Sequence, residues 1–301
     1  MLPSSGSELL YMELNKRIDV NEYNIKLILN DTNVDIIEED KKNVLWQHGH
    51  FDQFSSRNLG IKEYSDKLDC AIFVSNYQLS MYWKNRPFIP LDKSYVIENA
   101  INHIEYKEKE QGKIKLIYAS TPWRGLKVLL DVMEKIKNKN VELHVYSSTI
   151  IYGDDFDKDN KHLYEDLFER AKNMENVVYH GYATNEDVIK ALQECHIFAY
   201  PCIWEETSCL SLIEAGAAGC KIVTTNLGAI PETSCGWGVS VPVQYEQETL
   251  VDKYLELLNN SIDNYWDEYE TGIFKEQSDF FNKQYSWDKQ IVKWQKLFKS
   301  I

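Results

Sequence analysis

The segment YPCIWEETSCLSLIEAGAAG, residues 200–219, gathers more groups able to do chemistry than any other stretch of the chain. A strand ending at Tyr200 runs into a polar loop carrying Glu205 and Glu206, and a helix starts near Ser208 and ends in the small residues Ala215, Gly216, Ala217, Ala218 and Gly219. The first amides of a helix lack intrahelical acceptors and lie at the positive end of its dipole, so Ser208, Cys209 and Leu210 form a natural phosphate seat. Glu214 lies about 9 Å further along the axis, at roughly 1.5 Å per residue. From there its carboxylate can accept hydrogen bonds from a ribose while the helix start holds a diphosphate, with Glu206 facing the group beyond the phosphates. The plainer reading makes Glu214 part of a solvated helix face. Its flanks Leu212, Ile213 and Ala215 read as buried, and a carboxylate among such neighbours needs a partner.

Three further segments add to this set. In IYASTPWRGLKVLLDVMEKI, residues 117–136, a strand over 114–119 ends in Ser120, Thr121, Pro122, Trp123, Arg124 and Gly125 before a helix begins near Leu126. Two hydroxyls and one guanidinium at a strand's carboxyl end suit phosphate oxygens, although alone such a loop is equally an ordinary turn. In VLWQHGHFDQF, residues 44–54, His48 and His50 follow a short apolar strand. With Asp52 they suggest a metal site, but no zinc-type spacing supports it, and an imidazole or its backbone touching a ligand is the better reading beside a merely structural histidine. The segment TTNLGAIPETSCGWGVSVP, residues 224–242, places Gly228 where backbone can approach a ligand closely.

The elements that must position these groups are short β-branched or aliphatic runs at 24–29, 44–46, 70–74 and 95–97, with helical segments at 7–18 and 77–84. Pro3, Ser4, Ser5 and Gly6 form a capped turn, so the chain opens at a loop-to-helix junction. After the charged stretch KEKEQG, residues 107–112, the pattern repeats with five strands at 114–119, 142–146, 177–180, 197–200 and 221–224 and helices at 126–137, 164–172, 185–193 and 209–218. Alternating strands and helices imply α/β sheets of parallel strands, which bind ligands at the strands' carboxyl ends. The expected division is a first domain over 1–106, a second over 107–284, and a C-terminal helix over 285–301 that crosses back to the first.

Composition narrows the function. With 301 residues, 44% hydrophobic and 27% charged, the chain has an ordinary globular composition and room for two cores. Its 33 basic and 47 acidic residues leave a net charge of -14, which argues against a nucleic-acid partner and leaves room for one local positive pocket. No apolar run reaches the roughly 18–20 residues needed to span a bilayer, and MLPSSGSELL lacks the blocks of a signal peptide, so a cytoplasmic protein is expected. The cysteines, Cys70, Cys195, Cys202, Cys209, Cys220 and Cys235, form no CxxC pair and read as reduced, mostly structural thiols.

Together these segments resemble the family 4, or group 1, glycosyltransferases, whose signature is two glutamates separated by seven residues. Glu206 and Glu214 stand at that spacing in EETSCLSLIEAGAAGCKIVTTNLGAIPE, and WRGLKVLLDVM and YHGYATNEDVIKAL are similar to the family's next segments. HGH, VSNYQ, VIENAIN and YSWDKQIVKW carry a patchier likeness elsewhere in the chain. The resemblance implies a GT-B fold, two Rossmann-like domains facing across a cleft, here with a short first domain on the acceptor side. It implies a retaining transfer from a nucleotide-diphosphate sugar, with no metal, to an acceptor that is a glycan, lipid, protein or small molecule. Glu214 would bind the ribose and Glu206 the transferred sugar. Arg124, Ser120, Thr121 and the helix start at Ser208, Cys209 and Leu210 would meet the diphosphate, and His48 or His50 would reach the sugar from the opposite domain. Gly125, Tyr146, Gly181 and Tyr182 complete the implied donor site.

The chain departs from the family at two points: Ala119 stands where an arginine is usual, and Thr207, Ser208 and Cys209 replace the usual Gly-Phe-Gly, which would narrow the sugar pocket. The family's first strand is reduced at most to Met1, Leu2 and Pro3. A nucleotide-sugar epimerase or phosphorylase on the same scaffold, or a binding module with little turnover, are the rival readings.

Overall fold

The computed structural model describes residues 5–86 and 88–301, so the expectations placed on Met1 to Ser4 lie outside the described residues. The first half builds a parallel sheet of β1 (Ile25–Leu29), β2 (Lys42–Gln47), β3 (Cys70–Phe73) and β4 (Ser94–Val96), adjacent in that order. Around it lie α1 (Gly6–Asn15), α2 (Lys62–Ser65) and α3 (Asn76–Asn85). Ser75 caps α3, its hydroxyl accepting from the Gln78 amide at 3.0 Å.

The second half builds a six-stranded parallel sheet from β5 (Ile114–Ala119), β6 (Val141–Tyr146), β7 (Val177–Tyr179), β8 (Ile197–Tyr200), β9 (Lys221–Thr225) and β10 (Val239–Val241), in the spatial order β10-β9-β8-β5-β6-β7. Its helices are α4 (Leu126–Lys135), α5 (Asp154–Asn160), α6 (Glu165–Asn173), α7 (Asn185–Glu194), α8 (Leu210–Ala217), α9 (Ile230–Ser234), α10 (Gln247–Asp263), α11 (Tyr265–Glu270) and α12 (Ile273–Gln284), and the last helix of the chain is α13 (Trp287–Ser300). The sixth strand corrects the expected five. β10 is a largely exposed Val-Ser-Val edge strand, formed by pairing Val239 with Val223 rather than by apolar content of its own. β5 lies beside β8, with the chain winding outward from each in opposite directions. That is a topological switch point, where a crevice opens beyond the strands' carboxyl ends.

α13 belongs to the first half's core. Trp287, Trp294, Leu297 and Phe298 are buried with Leu10, Leu14 and Trp46, and the Trp46 and Trp294 rings meet edge-on at 4.8 Å. Each such side chain contributes about 1.5–3 kcal/mol. That outweighs the half-exposed Lys293–Glu98 pair on the same helix, of a kind worth about 0–1 kcal/mol. The charged stretch between the halves is pinned rather than free, because the buried Lys109 ammonium donates to the carbonyls of Leu192, Gln193 and Ala218 at 2.8–3.1 Å.

Candidate active site between the two sheets

A cleft of about 520 Å³ opens where the carboxyl ends of both sheets meet, within the size range of small-molecule sites. The loops after β5, β6, β7 and β8 form one wall, and the start of α1 and the loop after β2 form the other. A smaller concavity, about 390 Å³, lies at the opposite ends of the first sheet's strands; there Lys41 is paired with Glu38 and Lys42 with Asp69.

Both glutamates reach the cleft wall. Glu214 is 7% exposed and accepts one hydrogen bond, from Asn185 Nδ2 at 2.8 Å. Burial pushes its carboxyl up to about 7, with the Asn185 bond acting the other way. α8 is seated by Gly216, where a side chain would run into the Phe281 ring, and its capping residue Cys209 makes no side-chain hydrogen bond to the helix start. Leu210 and Ser211 line the cleft there, so the helix start faces it uncapped. Glu206 is buried, its Oε1 accepting from Tyr200 Oη at 2.6 Å and from Arg124 Nη1 at 2.9 Å. Its backbone is held by the loop after β9: Gly228 has φ +62° and lies so close that a Cβ would meet Glu206 O at 2.6 Å, while the Ala229 amide donates to that same carbonyl at 2.7 Å.

The loop after β5 is folded by its own main chain. Tyr118 Oη donates to Thr121 O at 2.7 Å, and Pro122 opens a single helical turn ending at Arg124. Gly125 has φ +131°, and any Cβ would collide with the Pro201 carbonyl, so its contribution is to let this loop lie against the one after β8. Arg124 lines the cleft, yet Nη1 is engaged by Glu206, Nη2 lies 3.4 Å from Tyr152 Oη, and Nε has no partner among the described residues. Burial pulls this guanidinium down and the Glu206 charge more than offsets it, so the group stays protonated. Ser120 Oγ lies 3.3 Å from Tyr200 Oη. At the far end, Tyr146 stacks flat on His180 at 4.2 Å and 4°, and Gly181 and the exposed Tyr182 form the rim.

The two histidines part company. His48 lines the cleft, where burial pushes its imidazole down to about 3, so the ring is neutral, and Nε2 has no partner among the described residues. His50 does not line it: Nδ1 meets Asp52 at 2.9 Å, and Nε2 lies 3.1 Å from Glu205 of the second half. The chain bends at Gly49 beyond the end of β2, which removes the alternation that would have kept the pair on one side. Of the other expected site residues, Ser120, Thr121, Arg124, Tyr146, Gly181, Tyr182, Glu206, Ser208, Leu210 and Glu214 line the cleft, whereas Gly125 and Cys209 stand behind it. Residues that sequence reasoning missed are Asn99, whose Nδ2 donates to Ser208 Oγ at 3.2 Å, and Asn185, the partner of Glu214. Ser5, Gly6 and Ser7 at the start of α1 also line the cleft; the loop-to-helix junction was their signal. Five of these lining residues carry a buried polar atom with no hydrogen-bond partner among the described residues: His48 Nε2, Asn99 Oδ1, Thr121 Oγ1, Arg124 Nε and Ser147 Oγ. Buried groups left unmatched are costly, and five of the eleven such atoms lie in this cleft, which makes it the candidate ligand site.

Residues 99–271, more than half of the chain, match the family model described as glycosyl transferases group 1, and the chain belongs to that family. A curated relative from Klebsiella pneumoniae, described as an uncharacterized 41.2 kDa protein in the cps region, is 22% identical over 284 residues, 82% of this chain and 77% of its own length. Among solved structures, Anabaena HepE in complex with UDP and glucose superposes with a TM-score of 0.71 at 14% identity, covering 97% of this chain and 82% of HepE. A structure of S. aureus TarM in complex with UDP and alpha-GlcNAc-glycerol, among other ligands, gives 0.65 at 19% identity. It covers 97% of this chain, which spans only 58% of the TarM chain. These likenesses establish the GT-B fold. Among the described residues no helix is long and apolar enough to cross a membrane.

Proposed function

We propose that the chain transfers a sugar from a nucleotide-diphosphate sugar to an acceptor with retention of configuration, without a metal ion. The observation that carries this reading is the buried Glu214 carboxylate on the same short helix whose uncapped start faces the cleft, with unmatched polar atoms around both. In this arrangement Glu214 accepts the ribose hydroxyls, the first amides of α8 take the diphosphate, and Tyr146, Gly181 and Tyr182 flank the base. Arg124, Ser120 and Thr121 lie where leaving-group charge develops. Glu206 meets the transferred sugar's hydroxyls, and His48 approaches from the other half. The bond from C1 to the phosphate oxygen breaks while the acceptor oxygen bonds to C1 on the same face, and the acceptor's proton passes to a departing phosphate oxygen. The protein's contribution is then placement and fixed charge, the two terms that need no proton relay of its own.

Because HepE and TarM were solved with UDP, uridine diphosphate is the first nucleotide to try. Calorimetric titration with UDP, GDP and ADP, followed by hydrolysis of the corresponding glucose donors in EDTA, tests the reading. Saturable binding of one nucleotide with slow, EDTA-insensitive release of glucose is expected. Binding without hydrolysis or transfer to any acceptor would favour a module that has lost turnover, and no binding would remove the donor site.

A further inference from the structure

The two halves are joined at the cleft by one closed ring of hydrogen bonds. Glu232, on α9 of the second half, reaches across to the start of α3: Oε1 accepts from Asn76 N and Nδ2, both at 2.8 Å, and Oε2 accepts from Tyr77 N at 2.9 Å. α3 has ten residues, and a carboxylate at its start meets two otherwise unmatched amides and the positive end of the dipole. The next residue, Gln78, is fully buried and fully matched. Its Nε2 donates to Gln47 O at 3.1 Å and Gly49 O at 2.8 Å, and its Oε1 accepts from Val74 N at 2.8 Å. Tyr82, one turn on, also donates to Gly49 O, at 3.1 Å. α3 therefore grips both neighbours of His48. The His48 carbonyl in turn accepts from Thr207 Oγ1 at 2.6 Å, and Ser75 Oγ donates to Thr207 O at 2.6 Å. Thr207 adjoins Glu206, and the loop that carries Glu232 also donates Ala229 N to Glu206 O. The ring closes through Glu206, Thr207, His48, Gln78, α3 and Glu232.

We infer that Glu232 and Gln78 are positioning residues, a relay that fixes the main chain on both sides of His48, and through it the ring, relative to Glu206. The catalytic part of this inference rests on the proposed donor site; the relay itself does not. Thr207, which stands where the family's glycine run is usual, is then a strut between the halves, and that explains why a hydroxyl residue is useful there. Since no member of the relay is hydrogen-bonded to Glu214, whose side chain is held by Asn185, loosening it should alter turnover and leave nucleotide affinity alone.

Glu232 is half-buried, and Glu232→Ala and Glu232→Gln are the variants to make. In Glu232→Ala, hydrolysis of UDP-glucose falls at least tenfold, while the Kd for UDP stays within twofold. Glu232→Gln keeps one acceptor oxygen and falls between. Hydrogen exchange followed by mass spectrometry, with no nucleotide present, gives an independent readout: peptides over 76–79 and 47–50 exchange faster in Glu232→Ala, whereas a peptide over 197–200 does not change. Unchanged exchange at 47–50 overturns the relay, and so does a UDP affinity that falls in step with turnover. If the wild-type chain binds no nucleotide, the donor reading and the catalytic role of the relay both fall, while the exchange comparison still decides whether the relay exists.

Discussion

The walls of the cleft differ in what they offer. Charged side chains lining it come from the second half, Arg124, Glu186, Glu206 and Glu214, whereas the first half supplies hydroxyls, amides, main chain and the neutral His48 ring. The topology explains the asymmetry. In the second sheet β5 and β8 are neighbours and the chain departs from them in opposite directions, so the loops after both strands converge on one crevice. The four described strands of the first sheet lie in simple sequence order, with no such point, and the first half meets the cleft through the start of α1, the bend after β2, Asn30 after β1 and Asn99 after β4. One half brings charged side chains to the cleft and the other brings uncharged ones.

This contrast is broken most directly at the buried pair. Glu206→Gln keeps the side chain's shape while removing the charge opposite Arg124, and turnover should drop by about 100-fold or more, the scale expected when a reacting group is misplaced. His50→Ala removes contacts to the exposed Asp52 and the half-exposed Glu205, of a kind worth about 0–1 kcal/mol, and turnover should fall by less than about fivefold. Steady-state hydrolysis of the donor compares the two. Similar losses in both would contradict this contrast.

A smaller effect sharpens the same contrast through stability. Burial raises the Glu214 carboxyl from 4.5 to about 7 in the folded chain. The folded state therefore holds this proton more tightly than the unfolded one. The resulting stabilisation is complete below about pH 4.5 and is lost as pH rises through about 7, a difference of about 3 kcal/mol. Urea unfolding of wild type and Glu214→Gln at pH 5 and pH 8 should show the variant gaining on wild type by about that amount at the higher pH. A constant difference across this range would place Glu214 in solvent. A carboxylate kept where its charge is costly is the stability sacrifice expected of a binding site.

The second half is more legible in the sequence than the first. Strands β5, β8 and β9 are mostly buried runs of parallel sheet, β6 alternates buried and half-buried residues, and the glutamate spacing is local to one loop and one helix, so all are readable from the linear pattern. β10 was missed because an exposed three-residue edge strand has no pattern of its own, and α5 because DDFDKDN reads as a loop. Lys109 looks like one more charge in a polar linker, and only the fold supplies the three carbonyls that bury it. The pairing of Arg124 with Glu206 and of Asn185 with Glu214 joins residues 82 and 29 positions apart, and the separation of His48 from His50 is decided by a single bend. Such facts belong to tertiary structure.

In the proposed donor site Glu214 grips the ribose of a nucleoside diphosphate whose phosphates rest on the first amides of α8. A crystal structure of the chain with UDP measures this without intermediaries. Both ribose hydroxyls are expected within hydrogen-bond distance of the Glu214 carboxylate, with phosphate oxygens on the amides of Leu210 and Ser211. A nucleotide bound elsewhere, with Glu214 still held only by Asn185, would contradict it.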